Sequence, residues 1–348
     1  MKTYSGLFEK ICLMKNLRLA HRKARKGKGK RPYVQAFESR LDKNLLSLQR
    51  ELLRGTYSPL PMRRFIISDP KTRVIHAPAF RDRVVHHAIC NILGPIFEKS
   101  FIHDSYASRK GKGTHAALLR FDVFMRKASR NGTPAPFAKD NNMVKGWALK
   151  ADIRHYFPSV DHEILLELLG RKIRDRKVLK LLEMIMKAYA TSPGKGIPLG
   201  ALTSQLFANI YLNPLDHFIK EKLGAKLYLR YLDDFVLLGS SMRQLEAWRQ
   251  GIGNFLASEL KLELHPEKTH ISPLHHGTSL LGFRVFSHFR LLKKPRKYYL
   301  AKFSSLKEPY GCVPAGTELF EGAVSGWMAH ACWGGTYKLR KEIRSPAF

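Results

Sequence analysis

Residues 227–239 read LYLRYLDDFVLLG, with two apolar runs flanking the adjacent carboxylates Asp233 and Asp234. The pattern predicts a β-hairpin with the acidic pair at its turn. Neighbouring side chains of a regular strand point to opposite faces, so both aspartates can serve one site only where the chain bends. Two carboxylates about 4 Å apart repel by roughly 4 kcal/mol at an effective dielectric constant near 20. A divalent cation would remove that repulsion.

The alternative is a plain hairpin, because Asp is common in turns. A third carboxylate argues against it. Asp152 lies near the end of the apolar run 147–153, a break follows at residues 157–159, and Asp161 then opens a helical pattern. This order of strand, acid, aromatic turn and helix gives a second carboxylate position at the end of a strand. The third carboxylate therefore weakens the interpretation of a plain hairpin.

The charge of the chain is extreme. Its 348 residues include 61 Lys and Arg against 28 Asp and Glu, a formal net charge of +33. A polyanion is the expected partner, and nucleic acid is favoured over a membrane because no apolar span or amphipathic anchor accompanies the charge. The four cysteines form no CxxC pair, and the amino terminus lacks the apolar region of a signal peptide. We therefore expect a cytoplasmic protein with reduced thiols.

An acid that ends one strand and a later YxDD hairpin together resemble the palm of the reverse transcriptases, and further motifs extend the resemblance over most of the chain. It implies an α+β right-hand polymerase with fingers, a palm whose antiparallel sheet carries the YxDD hairpin, and a small helical thumb. The implied activity is RNA-directed DNA polymerisation. Asp152, Asp233 and Asp234, with the backbone carbonyl of Ile153, would bind two Mg²⁺ ions, for which Mn²⁺ could substitute.

Three regions are expected: a basic N-terminal arm over residues 1–32, interleaved fingers and palm over residues 33–288, and a helical thumb over residues 289–348. The run HRKARKGKGKR at residues 21–31 reads as a mobile, solvated segment that contacts RNA phosphates without reading sequence. The basic thumb helices would bind the RNA–cDNA heteroduplex by its shape and phosphates.

The resemblance also implies residues around the incoming dNTP. The two short strands predicted over residues 63–78 resemble the fingers hairpin, in which Lys71 and Arg73 would contact the triphosphate. These residues could equally be exposed turn cations. Arg81 would either contact phosphate or brace the fingers.

Two more positions match motifs of the catalytic region. Phe157 occupies the position of the steric gate, where a ring would exclude a ribose 2′-hydroxyl; the alternative is a core aromatic. Lys268 would contact phosphate or act as a general acid, or it is an exposed turn lysine. Leu281, Gly282 and Phe283 resemble the primer grip.

One block departs from the commoner family pattern. Most reverse transcriptases resemble QGxxxSP here, whereas residues 199–205 read LGALTSQ, so Leu199 replaces the glutamine and Gln205 the proline. Gly200 would let the backbone approach the base and sugar of the dNTP. The variant resembles the reverse transcriptases of diversity-generating retroelements. Loss of a polar group that checks the nascent pair would lower fidelity, because buried polar groups discriminate better than apolar contact.

That branch implies error-prone copying of a template-repeat RNA at adenines, mutagenic retrohoming of the cDNA into a variable gene region, and a separate basic accessory variability protein. The expected host is bacterial, phage or archaeal. The alternatives are a hydrophobic swap with normal fidelity in a group II intron or retron reverse transcriptase, and an inactive RNA-binding scaffold with the polymerase fold.

Overall fold

The computed structural model describes residues 2–68, 72–136, 138, 143–310 and 314–344, including side chains except at residues 306–310 and 314–319. The chain divides into two compact units, each built from three sequence segments. The first comprises Met1–Arg109, Asp152–Gly224 and Gln250–Pro266, and the second comprises Lys110–Ala151, Ala225–Arg249 and Glu267–Phe348. No helix within the described ranges is long and apolar enough to cross a membrane.

Helices and strands alternate irregularly along the chain, as in an α+β fold. The helices are α1 (Leu7–Cys12), α2 (Met14–Arg25), α3 (Pro32–Glu38), α4 (Leu41–Arg54), α5 (Phe80–Glu98), α6 (Thr114–Ala128), α7 (Tyr156–Ser159), α8 (His162–Gly170), α9 (Arg176–Lys187), α10 (Leu202–His217), α11 (Met242–Leu260), α12 (Arg296–Tyr310), α13 (Pro314–Ala331) and α14 (Tyr337–Ile343). The strands are β1 (Arg63–Ile67), β2 (Arg73–Ala77), β3 (Trp147–Asp152), β4 (Tyr228–Tyr231), β5 (Asp234–Gly239), β6 (His270–Pro273), β7 (Thr278–Leu280), β8 (Phe283–Val285) and β9 (Arg290–Leu292).

Helix α5 forms the centre of the first unit. Its sequence is apolar on several faces, and Val84, Val85, Ala88, Ile89 and Leu93 are all fully buried. A helix of this kind must be covered on more than one side. It packs against α2 and α10, and α1 also contacts it.

Part of the basic run read as a mobile segment is helical. Residues 21–25 form the end of α2, where His21 and Ala24 are buried. Leu7, Ile11 and Leu17 are also buried, so α1 and α2 are part of the core of the first unit. The apolar residues of this segment recur at helical spacing, and their burial outweighs the solvation of the cations between them. The basic residues instead occupy the outer face and the last turn of α2.

The second unit contains a four-stranded sheet in the order β4-β5-β3-β6. β4 and β5 form the predicted antiparallel hairpin, with Tyr231 opposite Asp234, and β3 and β6 are also antiparallel. Leu229, Phe235, Val236 and Leu237 are buried in these strands, and α6 packs on β4 and β5. The hairpin therefore rests on a packed base.

Strands β7, β8 and β9 form a separate antiparallel sheet in the second unit. Residues 290–292, at the start of the region expected to be the helical thumb, form β9 of this sheet, and α12, α13 and α14 follow. Phe303, Met328, Leu339 and Ile343 form a small core of their own, with Leu292 from β9 packed against it.

In the first unit, His217 joins the end of α10 to the segment that follows α5. Its Nε2 contacts the Ser100 carbonyl oxygen at 2.9 Å, and its Nδ1 contacts Glu221 Oε1 at 2.6 Å. Burial alone would lower the pKa of His217, but the hydrogen bonds to Glu221 and Ser100 and the nearby Asp216 carboxylate raise it overall. Both contacts are fully formed only by the imidazolium.

We expect a pH-dependent contribution to stability from His217. Because its folded-state pKa is raised, the contribution is complete below about pH 6.5, the ordinary histidine pKa, and is lost as the pH rises through the folded-state pKa. His217→Gln should therefore lower the thermal unfolding midpoint more at pH 6 than at pH 9. The exposed His270 provides a control, and His270→Gln should have no such pH dependence. Equal losses for His217→Gln at both pH values would contradict the assignment.

Candidate catalytic site

The acidic pair lies at a strained two-residue turn. Leu232 and Asp233 connect β4 to β5, and Leu232 has a φ of 57°. The left-handed region costs a non-glycine residue about 1–3 kcal/mol, so the surroundings must hold it in place. Arg230, which is fully buried, donates from Nη1 to the Leu232 carbonyl oxygen at 3.1 Å. This turn places Asp233 at the tip and makes Asp234 the first residue of β5.

Lys150 on β3 pairs with the Asp234 carboxylate. Alternate residues of a strand share a face, so Asp152, the last residue of β3, lies on the same face as Lys150. This ion pair links β3 to the first residue of β5. The site of three carboxylates stays a prediction.

The backbone geometry around Ile153 is compatible with the predicted role of its carbonyl oxygen as a metal ligand. Ile153 pairs with Leu264 in an isolated antiparallel bridge, flanked by hydrogen bonds from Arg154 N to Glu263 O at 2.9 Å and from His265 N to Asp152 O at 2.8 Å. When the flanking residues make the cross-strand bonds, the central residue directs its own C=O to the opposite edge of the strand. The Ile153 carbonyl therefore points away from Leu264.

Across the described ranges, no group of three or more His, Cys, Asp or Glu side chains is arranged to hold a metal ion. The predicted donors nonetheless fit Mg²⁺ in type, because carboxylate and carbonyl oxygens are the ligands it prefers. The Lys150 ammonium group on Asp234 also shows that this carboxylate accepts a cation. A metal ion would therefore have to compete with Lys150 for Asp234.

Phe157 lies in the short helix α7, next to the core residue Tyr156. Tyr156 is 2% exposed and donates its hydroxyl to the Ala208 carbonyl oxygen at 2.6 Å. The Phe157 ring is only half-buried, and its centroid lies 5.5 Å from that of Tyr156. Tyr156 thus fills the core position, and the gate role of Phe157 stays a prediction.

The Leu199-Gly200 block lies against the β1–β2 hairpin. His76 N donates to the Leu199 carbonyl oxygen at 2.8 Å. Gly200 has a φ of 121°, and a Cβ there would lie 2.8 Å from the His76 carbonyl oxygen. The close approach that needs this glycine is therefore to β2 within the protein. Gln205 is exposed on α10.

The predicted cations fall in different settings. Lys71 lies outside the described residues, and Arg73 is exposed at the start of β2. Arg81 donates from Nη2 to Glu51 Oε2 at 2.6 Å, and its guanidinium lies 5.4 Å from the Tyr57 ring centroid. This contact is compatible with the bracing role, and both roles predicted for Arg81 stay predictions. Lys268 is exposed in the turn before β6.

The predicted primer-grip residues form the β7–β8 hairpin. Leu281 and Gly282 are its two turn residues, with φ of 49° and 88°, as a type I′ turn requires. Phe283 is buried, with its ring centroid 4.5 Å from that of His330. Of these three residues, Leu281 is half-buried and Gly282 is exposed, while Phe283 is buried in the core.

Two residues near the acidic pair were not predicted from the sequence. Arg230 and Lys150 both sit in apolar runs, and a charge at such a position is the signal that could have identified them as partners of buried polar groups.

His86 and His87 are unsuited to bind protons near neutral pH, because burial lowers their pKa to about 3 and about 4. His86 is held by a 2.8 Å contact between its Nδ1 and Thr203 Oγ1.

The family described as Reverse transcriptase (RNA-dependent DNA polymerase) matches residues 68–285, more than half of the chain. The chain belongs to the reverse transcriptase family. As a reverse transcriptase it is an RNA-directed DNA polymerase with the right-hand polymerase fold, and the predicted fold class is confirmed.

Curated relatives include Protein YkfC of Escherichia coli (strain K12), which is 30% identical over 289 residues, 71% of this chain and 72% of that protein. Group II intron-encoded protein LtrA of Lactococcus lactis subsp. cremoris is 24% identical over 315 residues, 70% of this chain and 50% of LtrA. The reverse transcriptase thus spans about half the length of LtrA. Among solved structures, apo telomerase from Candida tropicalis has a TM-score of 0.49 at 14% identity, covering 78% of this chain and 57% of telomerase.

Replacing Gly200 tests whether its contact with β2 matters. Gly200→Ala should destabilise the protein by about 2–4 kcal/mol, because the new Cβ meets the His76 carbonyl oxygen in a backbone conformation that alanine rarely adopts. Gly194→Ala is the matched control: φ is 69° and the added Cβ has no neighbour within 4 Å. It should cost about 1 kcal/mol. Urea unfolding measures both, and equal losses would show that the β2 contact is unimportant.

Proposed function

We propose that this reverse transcriptase makes error-prone cDNA from a template-repeat RNA, as the polymerase of a diversity-generating retroelement. The observation that supports this proposal is the LGALTSQ block at residues 199–205. Its first two residues lie against β2, where His76 bonds the Leu199 carbonyl. An apolar residue at position 199 offers no side-chain hydrogen bond to a nascent pair, so a mispaired base meets a smaller penalty.

In the proposed reaction, the primer 3′-hydroxyl attacks the α-phosphate of a dNTP. Asp152, Asp233 and Asp234, with the Ile153 carbonyl, would hold two Mg²⁺ ions. When bound, the ions supply charge for the attacking and leaving oxygens. Arg230 fixes the turn that carries Asp233, and Phe157 would select against a ribose 2′-hydroxyl.

The remaining contacts follow from charge and position. Lys71, Arg73 and Lys268 would contact the phosphates of the dNTP and of the departing pyrophosphate, while Arg81 braces α5 against α4 through Glu51. The proposed nucleic-acid partners are the template RNA and the RNA–cDNA heteroduplex, whose phosphates balance a protein of net charge +33. A separate basic accessory protein is the proposed protein partner.

The second candidate function is faithful copying by a group II intron-like reverse transcriptase. The similarity to LtrA favours it. The two candidates share the carboxylate site and differ in the fidelity that residue 199 permits, so the error spectrum of the cDNA separates them.

Asp233→Asn should reduce cDNA synthesis by at least about a thousandfold, because an amide keeps the size of the side chain but loses the charge that would bind metal. RNA binding should change less than twofold, since only one half-buried turn residue is altered. Primer extension and RNA binding are measured on the same preparation. The matched control Asp42→Asn, on the exposed face of α4, should retain full activity. Polymerisation retained by Asp233→Asn would contradict the catalytic assignment.

Leu199→Gln should lower misincorporation opposite template adenine by about tenfold, the discrimination expected from one recovered hydrogen bond. Sequencing of cDNA made on a defined adenine-containing RNA measures it. Leu53→Gln makes the same chemical change at an exposed position of α4 and should leave the spectrum unaltered. An unchanged spectrum in Leu199→Gln would remove residue 199 as the source of infidelity.

A further inference from the structure

The end of α13 contacts two other parts of the second unit. His330, in its last turn, lies against the β7–β8 hairpin: its ring centroid is 4.5 Å from that of Phe283, and a Cβ on Gly282 would lie 3.0 Å from its Nε2. Trp333, three residues later, stacks on His115 in the first turn of α6, with ring centroids 4.3 Å apart and planes 15° apart. One short segment thus contacts both the turn predicted to grip the primer and α6.

An ion pair attaches β9 to the same helix. Arg290 on β9 donates from Nε to Asp122 Oδ1 at 3.1 Å and from Nη2 to Asp122 Oδ2 at 2.5 Å. Only 14% of the Arg290 side chain and 18% of the Asp122 side chain are exposed. A pair with two parallel bonds fixes the relative geometry of its partners, and removal of one partner leaves the other charge poorly solvated.

Arg290 also holds the segment that follows α13. Its Nη1 donates to the Trp333 carbonyl oxygen at 2.8 Å, and its own carbonyl oxygen accepts from Gly335 N at 2.9 Å. Its guanidinium carbon lies 5.7 Å from the Trp333 ring centroid. A single residue therefore joins α6, β9 and the end of α13.

Helix α6 extends this connection to the acidic turn. It packs on β4 and β5, and the Thr114 hydroxyl lies 3.4 Å from the Tyr231 hydroxyl. Tyr231 is the last residue of β4, two positions before Asp233. A path of contacts within the second unit thus runs from the β7–β8 turn, through the end of α13 and α6, to the hairpin that carries the acidic pair.

We propose that Asp122 and Arg290 are positioning residues of the polymerase, which fix the place of the Leu281–Gly282 turn relative to the Asp233–Asp234 turn. The proposal rests on the proposed function, because it takes the carboxylates as the reaction centre and the β7–β8 turn as the primer contact. Displacing a reacting group by 1 Å can slow a reaction by about a hundredfold. The pair acts on the rate of nucleotide addition through these turns.

Single-turnover addition of one nucleotide, to a primer annealed to a defined RNA template, tests the proposal. Asp122→Asn keeps the size of the side chain and removes its charge, and it should lower the maximal rate about tenfold to a hundredfold. The dNTP concentration that gives half of the maximal rate should change less than about twofold, because only the placement of the primer end is altered.

The control is Glu342→Gln. Glu342 accepts two hydrogen bonds from Arg296, at 3.0 Å from Nε and 2.6 Å from Nη2, and this pair joins α14 to α12 without involving α6. Its loss should change the maximal rate less than about twofold. Arg290→Gln should be at least as slow as Asp122→Asn, and the double variant should be no slower than Arg290→Gln, as expected for two residues that act as one unit.

A second pair of variants covers the case in which Asp122→Asn fails to fold, which thermal unfolding detects. His115→Ala removes the ring that stacks on Trp333 and should also lower the maximal rate. His115→Phe keeps a ring against Trp333 and should retain most of the rate that His115→Ala loses.

Hydrogen exchange in the protein without nucleic acid gives a readout that needs no cDNA. In Asp122→Asn the amides of residues 279–293 should exchange at least about tenfold faster, because the local opening of this segment becomes easier. In Glu342→Gln their exchange should be unchanged.

The proposal is overturned if exchange over residues 279–293 is the same in Asp122→Asn as in the unmodified protein. Faster exchange with an unchanged maximal rate would also overturn it, because the pair would then only stabilise the second unit. An equal loss of rate in Glu342→Gln would show that any weakening of the helices after β9 has the same effect. Retained cDNA synthesis in Asp233→Asn, by contrast, concerns the carboxylates alone, so the two failures are distinguishable.

Discussion

The adjacent carboxylates Asp233 and Asp234 repel each other, and the protein holds them together through the backbone of one turn. Buried Arg230 donates a hydrogen bond to the Leu232 carbonyl oxygen. This bond stabilises the left-handed backbone conformation of Leu232, which a residue other than glycine rarely adopts. A guanidinium buried this deeply is expensive unless its donors are used, so its presence indicates that the turn geometry is under strong constraint. Lys150 supplies a positive charge from β3, which reduces the repulsion and connects the hairpin to the strand that ends in Asp152.

A second constraint operates in the first unit, where α5 supports both the N-terminal helices and α10. Leu199 and Gly200, which precede α10, contact His76 on β2. The block that distinguishes this reverse transcriptase from the commoner pattern therefore lies against the β1–β2 hairpin. Substitutions at residue 199 therefore change a side chain on a backbone that is already held. This is why a fidelity difference can arise there without a change of fold.

The parts of the structure that sequence patterns predicted well are local. The hairpin at residues 227–239 and the strand ending at Asp152 follow from apolar runs interrupted by acids, and both are present. The prediction of a mobile segment was wrong for residues 21–25, because the cations there suggested a solvated chain, whereas His21 and Ala24 are buried at the end of α2. The partner of Arg81 could not be predicted, because Glu51 lies thirty positions away and becomes a partner only through the tertiary fold.

The most direct test of this account is primer extension by the unmodified protein on a defined RNA template, with Mg²⁺ and all four dNTPs, followed by sequencing of the product. A matched reaction contains the proposed accessory protein. The account predicts cDNA whose errors concentrate opposite template adenines. Faithful cDNA would contradict the diversity-generating assignment while leaving the carboxylate site intact, and absence of cDNA in both reactions would contradict the polymerase assignment itself.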